Sequence, residues 1–445
     1  MRSVRLSAPV LLGLLLALAA VPALAQWGPV RQLTVTPENS ILPPTGNGLA
    51  VMNDNVHIVF ADRISSVRQV LYLRSNDGGE NFQPYVSVEP QSGNYNFSIA
   101  ADSAGNVHLI NARSAGGLWY RRSTDNGVNW ADAVELRESA QKPVLLVTGR
   151  SGIHVVDVGA DNNFYILSST DGGATWGGWR AAFSAQGFDG FSVAATGSLF
   201  NAAYAYGGMG SAQTYAARST DGGQNWLPEE QLSATPQTVP VGIWNDGVNV
   251  WLSFTIFGAS RNFRRSSDGG ATWQSEQTLR TVIRSIARAG ANIGAVALQE
   301  DNRVLFLTSA NAGGTWSDTV NISGAQSAAR AAPRLAVDAT GRAHAVWTSR
   351  ETGNVEVFYR VGTGVIGVEE ERAPVARPAA ARLAPNPARS AVRLAGSTPV
   401  RLYNRAGVSV AELRPGANDV SRLARGVYFA RTAEGADAGK LVKLD

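Results

Sequence analysis

Six copies of one eight-residue phrase, S-x-[DN]-x-G-x-[TN]-[WF], run through this 445-residue chain, at 75–82, 123–130, 169–176, 219–226, 266–273 and 309–316. Its third position falls at Asp77, Asp125, Asp171, Asp221, Asp268 and Asn311, spaced by 48, 46, 50, 47 and 43 residues. A unit of that length cannot bury its own apolar surface, so its copies must stack on one another. Periods of about 40–50 residues mark propellers and related arrays.

The phrase reads locally as a hairpin turn. An Asp or Asn side chain accepts hydrogen bonds from nearby backbone N–H groups, and glycine takes positive φ without steric cost. Strand-like stretches precede the boxes (70–74, 118–122, 215–218), and a further strand follows each. The closing Trp or Phe is too apolar to stay wet six times over, so it should pack under the turn or against the next repeat.

Reading outward from the boxes gives seven units rather than six. Inner strands are expected at 48–53, 97–102, 143–148, 191–196, 241–245, 283–288 and 333–338, each followed closely by a second strand. The seventh unit continues through a third strand at 355–361 but has no box. After most boxes a Trp is followed six residues later by Leu or Ile, as in Trp130 with Leu136 and Trp316 with Ile322, and Trp27 with Leu33 repeats that spacing. Residues 27–35 are therefore expected as the fourth strand of the seventh unit, which leaves no open sheet edge. The fold class is all-β: a seven-bladed β-propeller, with a six-bladed ring as the alternative, followed by a small Ig-like β-sandwich.

The boxes resemble the Asp-box, or bacterial neuraminidase repeat, of sialidases, sortilin-like receptors and xyloglucanases. In sialidases the family implies three arginines holding a substrate carboxylate, a Tyr nucleophile activated by Glu, and an Asp acid or base. Here Arg74, Arg122, Arg218, Arg265 and Arg360, with Tyr72, Tyr120, Tyr215 and Tyr359, recur with the repeat, and the early Arg-Ile-Pro phrase is replaced by Ile41-Leu42-Pro43-Pro44-Thr45. Those departures weaken the sialidase expectation.

Both ends read as export signals. Arg2 and Arg5 precede an apolar run ending in Ala23-Leu24-Ala25, the pattern of a secretory signal peptide over residues 1–25. No other stretch is long and apolar enough to span a bilayer. A propeller over 26–362 and a Pro- and Ala-rich linker over 363–385 are followed by a small β-rich module at 386–445. Its phrases Pro385-Asn386-Pro387, Leu402-Tyr403-Asn404 with Gly407, Leu423 with Gly426-Val427-Tyr428-Phe429, and Lys440-Leu441-Val442-Lys443 resemble the C-terminal sorting domain of the type IX secretion system. That resemblance implies engagement of the type IX machinery, export across a bacterial outer membrane, and a secreted or surface location.

Charge and rare residues narrow the function. Thirteen of the 39 Lys and Arg lie in 363–445 and two in the signal, leaving the propeller 24 bases against 27 acids. Nothing there favours nucleic acid. There is no cysteine, and the four histidines (His57, His108, His154, His344) all sit near the start of a second strand, so they read as architecture. No metal site, cofactor or catalytic set is expected. The box side chains Asp77, Asp125, Asp171, Asp221, Asp268 and Asn311 are expected to be structural.

Connections between second and third strands emerge at the end opposite the boxes, and they vary from unit to unit. They carry the candidate ligand residues Asp62 and Arg63, Arg113, Asp157 and Asp161, Tyr206, Arg261, Glu300 and Asp301, and Arg350 and Glu351. Mixed charge with Tyr around a funnel suits a glycan or protein ligand. The expected function is a non-catalytic, monomeric binding propeller. The alternative is a glycoside hydrolase of exo-sialidase or related type.

Overall fold

The computed structural model describes residues 26–90, 96–113, 115–159, 161–184, 190–208, 210–256, 260–289, 292–324, 333–363, 382–384, 387–395, 399–404, 408–432 and 437–444. The signal segment 1–25 and most of the expected linker lie outside them. The chain divides into two compact units, residues 1–368 and 369–445. Among the described residues every helix or strand is a strand.

In the first unit, runs of four consecutive antiparallel strands repeat along the chain. The first sheet is Leu49–Met52, Asn55–Ile64, Val67–Ser75 and Val86–Glu89. Five more follow, led by the inner strands Phe97–Ala101, Val144–Thr148, Phe191–Thr196, Thr238–Asn245 and Val282–Ala289. The last sheet has Arg334–Val337, Ala343–Ser349 and Glu356–Thr363 in order, and its outer edge is supplied by Gln26–Trp27 and Arg31–Gln32. Among the described residues each inner strand touches the inner strand of the next sheet, and the last touches the first, so the row of sheets closes on itself.

The packing follows from strand periodicity. In Asn55–Ile64, Val56, Ile58 and Phe60 enter one core while Val59 and Ala61 enter the next. A strand buried on both faces reads as a continuous apolar run. Seven such cores fill the spaces between neighbouring sheets, and the one between the seventh and first joins Val346, Val357 and Tyr359 to Leu49, Phe60 and Leu71. Each large side chain enclosed there contributes about 1.5–3 kcal/mol.

Two expectations about the outer strands are corrected. The closing edge is not one strand over 27–35: Trp27 pairs with Gly362 and Arg31 with Tyr359, with an interruption between them. Pro29 has no N–H to give the ladder, and Val35 is exposed. After the boxes, fourth strands start later than the Trp, as at Val134–Arg137 after Trp130. The Trp is instead spent on the neighbouring sheet: Trp130 packs edge-on to Tyr72 at 5.2 Å and Trp176 to Tyr120 at 4.9 Å.

The C-terminal unit holds two sheets around a single core of Val392, Leu394, Leu402, Leu413, Tyr428 and Leu441 among others. Its strands include Val400–Tyr403, Ser409–Leu413 and Gly426–Thr432. Folded chain begins earlier than expected, because Arg382–Ala384, inside the supposed linker, pairs with Ala391–Ala395.

Ring closure carries a buried latch. Glu356, 3 % exposed, accepts from Thr34 Oγ1 at 2.5 Å and from Thr36 N at 2.9 Å, and Ser40 Oγ donates to buried Asp62 of the first sheet at 2.8 Å. Replacing Glu356 by Ala strands those donors in the interior and is expected to cost about 2–4 kcal/mol. Urea denaturation checks it, and an unchanged midpoint would show that the latch does not hold the ring.

Candidate functional site

The box-bearing end of the ring is a hydrogen-bonded scaffold. Ser123 Oγ donates to Asp125 Oδ1 at 2.7 Å and accepts from Gly127 N at 2.8 Å, while Asn129 N and Nδ2 donate to the two carboxylate oxygens at 2.8 and 2.7 Å. Equivalent bonds recur at Asp77, Asp171, Asp221 and Asp268, and the Asn311 amide oxygen replaces the carboxylate in the sixth box. The donors, led by the Asn or Thr at the seventh box position and by Ser75 at Asp77, hold Asp77, Asp125, Asp221 and Asp268 at about 2. Asp171 is also pushed well below the usual carboxylate range, by Thr175 above all.

Histidine and tyrosine tie each sheet to a neighbouring box. His57, His108 and His344 are buried, with Nδ1 2.7, 2.8 and 2.6 Å from the hydroxyls of Tyr72, Tyr120 and Tyr359. Each of these hydroxyls presses on the box of the adjoining sheet. A Cβ at Gly79, Gly127 or Gly173 would stand 1.9, 1.8 or 1.9 Å from the oxygen of Tyr359, Tyr72 or Tyr120. Only glycine fits there, and φ is positive at all three. Burial raises all three hydroxyls far above the ordinary tyrosine range and leaves no room for a substrate. His154 bonds instead to Ser168 at 2.9 Å and Thr148 at 2.8 Å.

The repeated arginines serve the same joints. Arg122 donates to Gly172 O at 3.2 Å and Arg265 to Asn311 O at 3.0 Å, each reaching the next sheet's box. Their positions are therefore structural, as the repeat implied.

At the opposite end the expected ligand residues divide by environment. Asp62 and Asp157, read as loop residues, are instead 2 % and 0 % exposed, because they lie on strands at the edge of the inter-sheet core. Asp157 Oδ1 accepts from Gln141 N and Lys142 N at 3.2 and 2.9 Å, and burial pushes its carboxyl up. Arg113 is paired with Glu89 at 2.8 Å and stacks on Trp119 at 3.8 Å. Asp161 accepts from the Tyr165 hydroxyl at 2.7 Å, Arg261 meets Glu300, and Asp301 pairs with Arg303 at 2.6 Å. Arg63, Tyr206 and Arg350 are exposed, and burial raises the Glu351 carboxyl. The structure thus gathers these residues at one end but joins them only in local pairs. Among the described residues no group of three or more His, Cys, Asp or Glu is close enough to hold a metal ion.

A second set lies at the loop-rich mouth of the central channel, and the sequence reading missed it. The inner strands of three sheets carry the phrases Phe97-Ser98-Ile99-Ala100, Phe191-Ser192-Val193-Ala194 and Arg284-Ser285-Ile286-Ala287. Each serine stitches its strand to a neighbouring sheet, Ser98 to the preceding one and Ser192 and Ser285 to the following one, accepting from Asn47 N, Ile243 N and Leu335 N at 3.0, 3.0 and 3.1 Å. The two phenylalanines are buried in cores. Arg284 takes the same place in the third phrase, and the strand register slips by one across it. Beside it, Arg334 donates to Pro43 O at 2.9 Å and Gly46 O at 3.2 Å. Burial, and then the charge of Arg284, push Arg334 down to about 10. A cation standing where sister repeats put Phe was the available signal.

No protein-family model matches the chain, and no curated protein sequence matches it. Among solved structures, the polysaccharide lyase Uly1 superposes with a TM-score of 0.51 at 10 % identity, covering 72 % of this chain and 90 % of that one. A PL25 ulvan lyase gives 0.50 at 11 % identity, and a further structure of a PL25 ulvan lyase, bound to -[GlcA(1-4)Rha3S]-, gives 0.50 at 12 %; each covers 74 % of this chain and 95 % of the other. At such identities the likeness is one of fold: an all-β propeller.

The buried groups predict a two-stage acid response. Burial holds His57 and His154 at about 4 against 6.5 unfolded, so the unfolded chain binds protons first and stability falls between about pH 6.5 and 4. The box aspartates, at about 2 against 3.8, keep their contribution above about pH 4 and lose it toward pH 2. Denaturation midpoints measured from pH 8 to 2 should show both legs, with His57→Gln flattening only the first. No change between pH 7 and 4 would contradict the buried-histidine account.

Proposed function

We propose that this chain is an exported, seven-bladed Asp-box propeller that binds glycans at its loop-rich end, with an Ig-like type IX sorting module at its C-terminus. The observation that carries the binding reading is the division of labour between the two ends. His57, His108 and His344, with Tyr72, Tyr120 and Tyr359 and with Arg122 and Arg265, are committed to joints between sheets, while the variable polar residues gather at the other end. The lyase-like neighbours, one bound to an acidic sugar, support a glycan over a protein ligand. Seven inner strands in mutual contact support the seven-bladed reading.

A glycoside hydrolase is the second reading, and Glu351 favours it. Its carboxyl, raised by burial on the loop-rich end, is the candidate general acid. A glycan array combined with fluorogenic sialosides and a polysaccharide panel separates the two. Binding without turnover is the expected result. Turnover abolished by Glu351→Gln but retained in His108→Gln would establish the hydrolase instead.

Export is tested in a host that carries the type IX machinery. Removal of residues 386–445 is expected to trap the propeller in the periplasm, as read by fractionation. Normal surface delivery of the truncated chain would refute the sorting role.

A further inference from the structure

The seven inner strands and the residues that lead into them bring no carboxylate to the channel: residues 46–52, 96–101, 141–148, 190–196, 238–245, 282–289 and 333–337 contain neither Asp nor Glu. They do bring cations, and two of these stand side by side at the loop-rich mouth. Arg334 opens its strand, and Arg284 sits in the adjoining one, at a register held by the Ser285–Leu335 bonds. Arg334 is held by backbone carbonyls of 43–46, neutral dipoles that orient the guanidinium.

Arg284 is in a different condition. Its Nε–H is buried and meets no acceptor among the described residues, and burial lowers its pKa. A partly desolvated guanidinium beside a second one is unfavourable, since burial removes hydration and like charges repel. The two sister phrases carry phenylalanine where this one has Arg284, but by register Ile283 fills the core position opposite Ala297, and Arg284 is the extra residue at the slip. A local rule broken where loops converge, at a residue displaced by a slip in register, is the pattern expected of a site that awaits an opposite charge. The rim carboxylates Glu300 and Asp301 do not supply it, being committed to Arg261 and Arg303.

We propose that Arg284, supported by Arg334, is the anchoring cation of an anion subsite at the channel mouth, taking a carboxylate or sulfate ester carried by a glycan chain. The inference rests on the glycan-binding reading above and names the class of glycan. A planar guanidinium with free terminal nitrogens grips either oxyanion through paired charge-assisted hydrogen bonds. Arg334, with its nitrogens turned to carbonyls, adds field rather than contact.

The test titrates the full chain by calorimetry with polygalacturonate as carboxylate probe, dextran sulfate as sulfate probe, and a neutral glucan and galactan. One polyanion should bind at low salt and weaken as salt rises. Arg284→Gln should lose about tenfold or more in affinity with an unchanged or higher melting temperature, because it removes a charge and no bond. Arg303→Gln, which alters a rim arginine instead, should bind as before. Equal losses in both variants would reduce the effect to general charge, and undiminished binding by Arg284→Gln would overturn the subsite. If Arg284→Gln melts lower, Arg284→Lys decides: restored stability with weakened binding upholds the subsite, and restored binding overturns it. Binding of neutral glycans alone sinks the subsite and spares the glycan reading, whereas no binding to any glycan, here or on the array, sinks both.

Discussion

A sheet whose two faces are both apolar is stable only if both are covered, and that requirement governs the whole first unit. Each second strand feeds alternate residues to two cores, so every sheet needs two neighbours. An open row would leave one face bare at each end. The chain avoids this by lending Trp27 and Arg31 to the outer edge of the last sheet, whose own third strand ends at Thr363. Backbone pairing fixes the position, and Glu356 with Thr34 and Thr36 fills the polar gap beneath it.

With the ring closed, the boxes become joints as well as turns. A box aspartate orders its own hairpin, the second box glycine admits a tyrosine from the neighbouring sheet, and that tyrosine is held by a histidine on its own sheet. The chain of contacts explains why His, Tyr, Gly and Asp recur together at a fixed spacing. The tyrosine hydroxyls are thereby buried against backbone, between a histidine and a box glycine.

The opposite end lacks the boxes, and its residues differ between sheets. The side chains there fall into local ion pairs at the rim and a pair of arginines at the channel mouth. The rim pairs largely neutralise one another, as Arg261 with Glu300 and Asp301 with Arg303 do. The channel mouth keeps its charge, because the inner strands contribute no acid.

Repetition made the strands, turns, unit count and closing segment legible in the sequence, since a pattern seen six or seven times averages out local accident. Periodicity alone marked His57, His108 and His344 as structural. Depth was not legible: Asp62 and Asp157 follow strand patterns much like that of Arg113, yet they are enclosed, because burial depends on how the next sheet leans over the strand end. Nor was adjacency across the ring. Arg284 and Arg334 are fifty residues apart in units that look unremarkable singly, and only closure of the inner strands sets their charges side by side. The sequence by itself determined which residues repeat and hence what the scaffold is made of. The tertiary structure decided which of the unrepeated residues meet, because those contacts run between sheets and no local pattern encodes them.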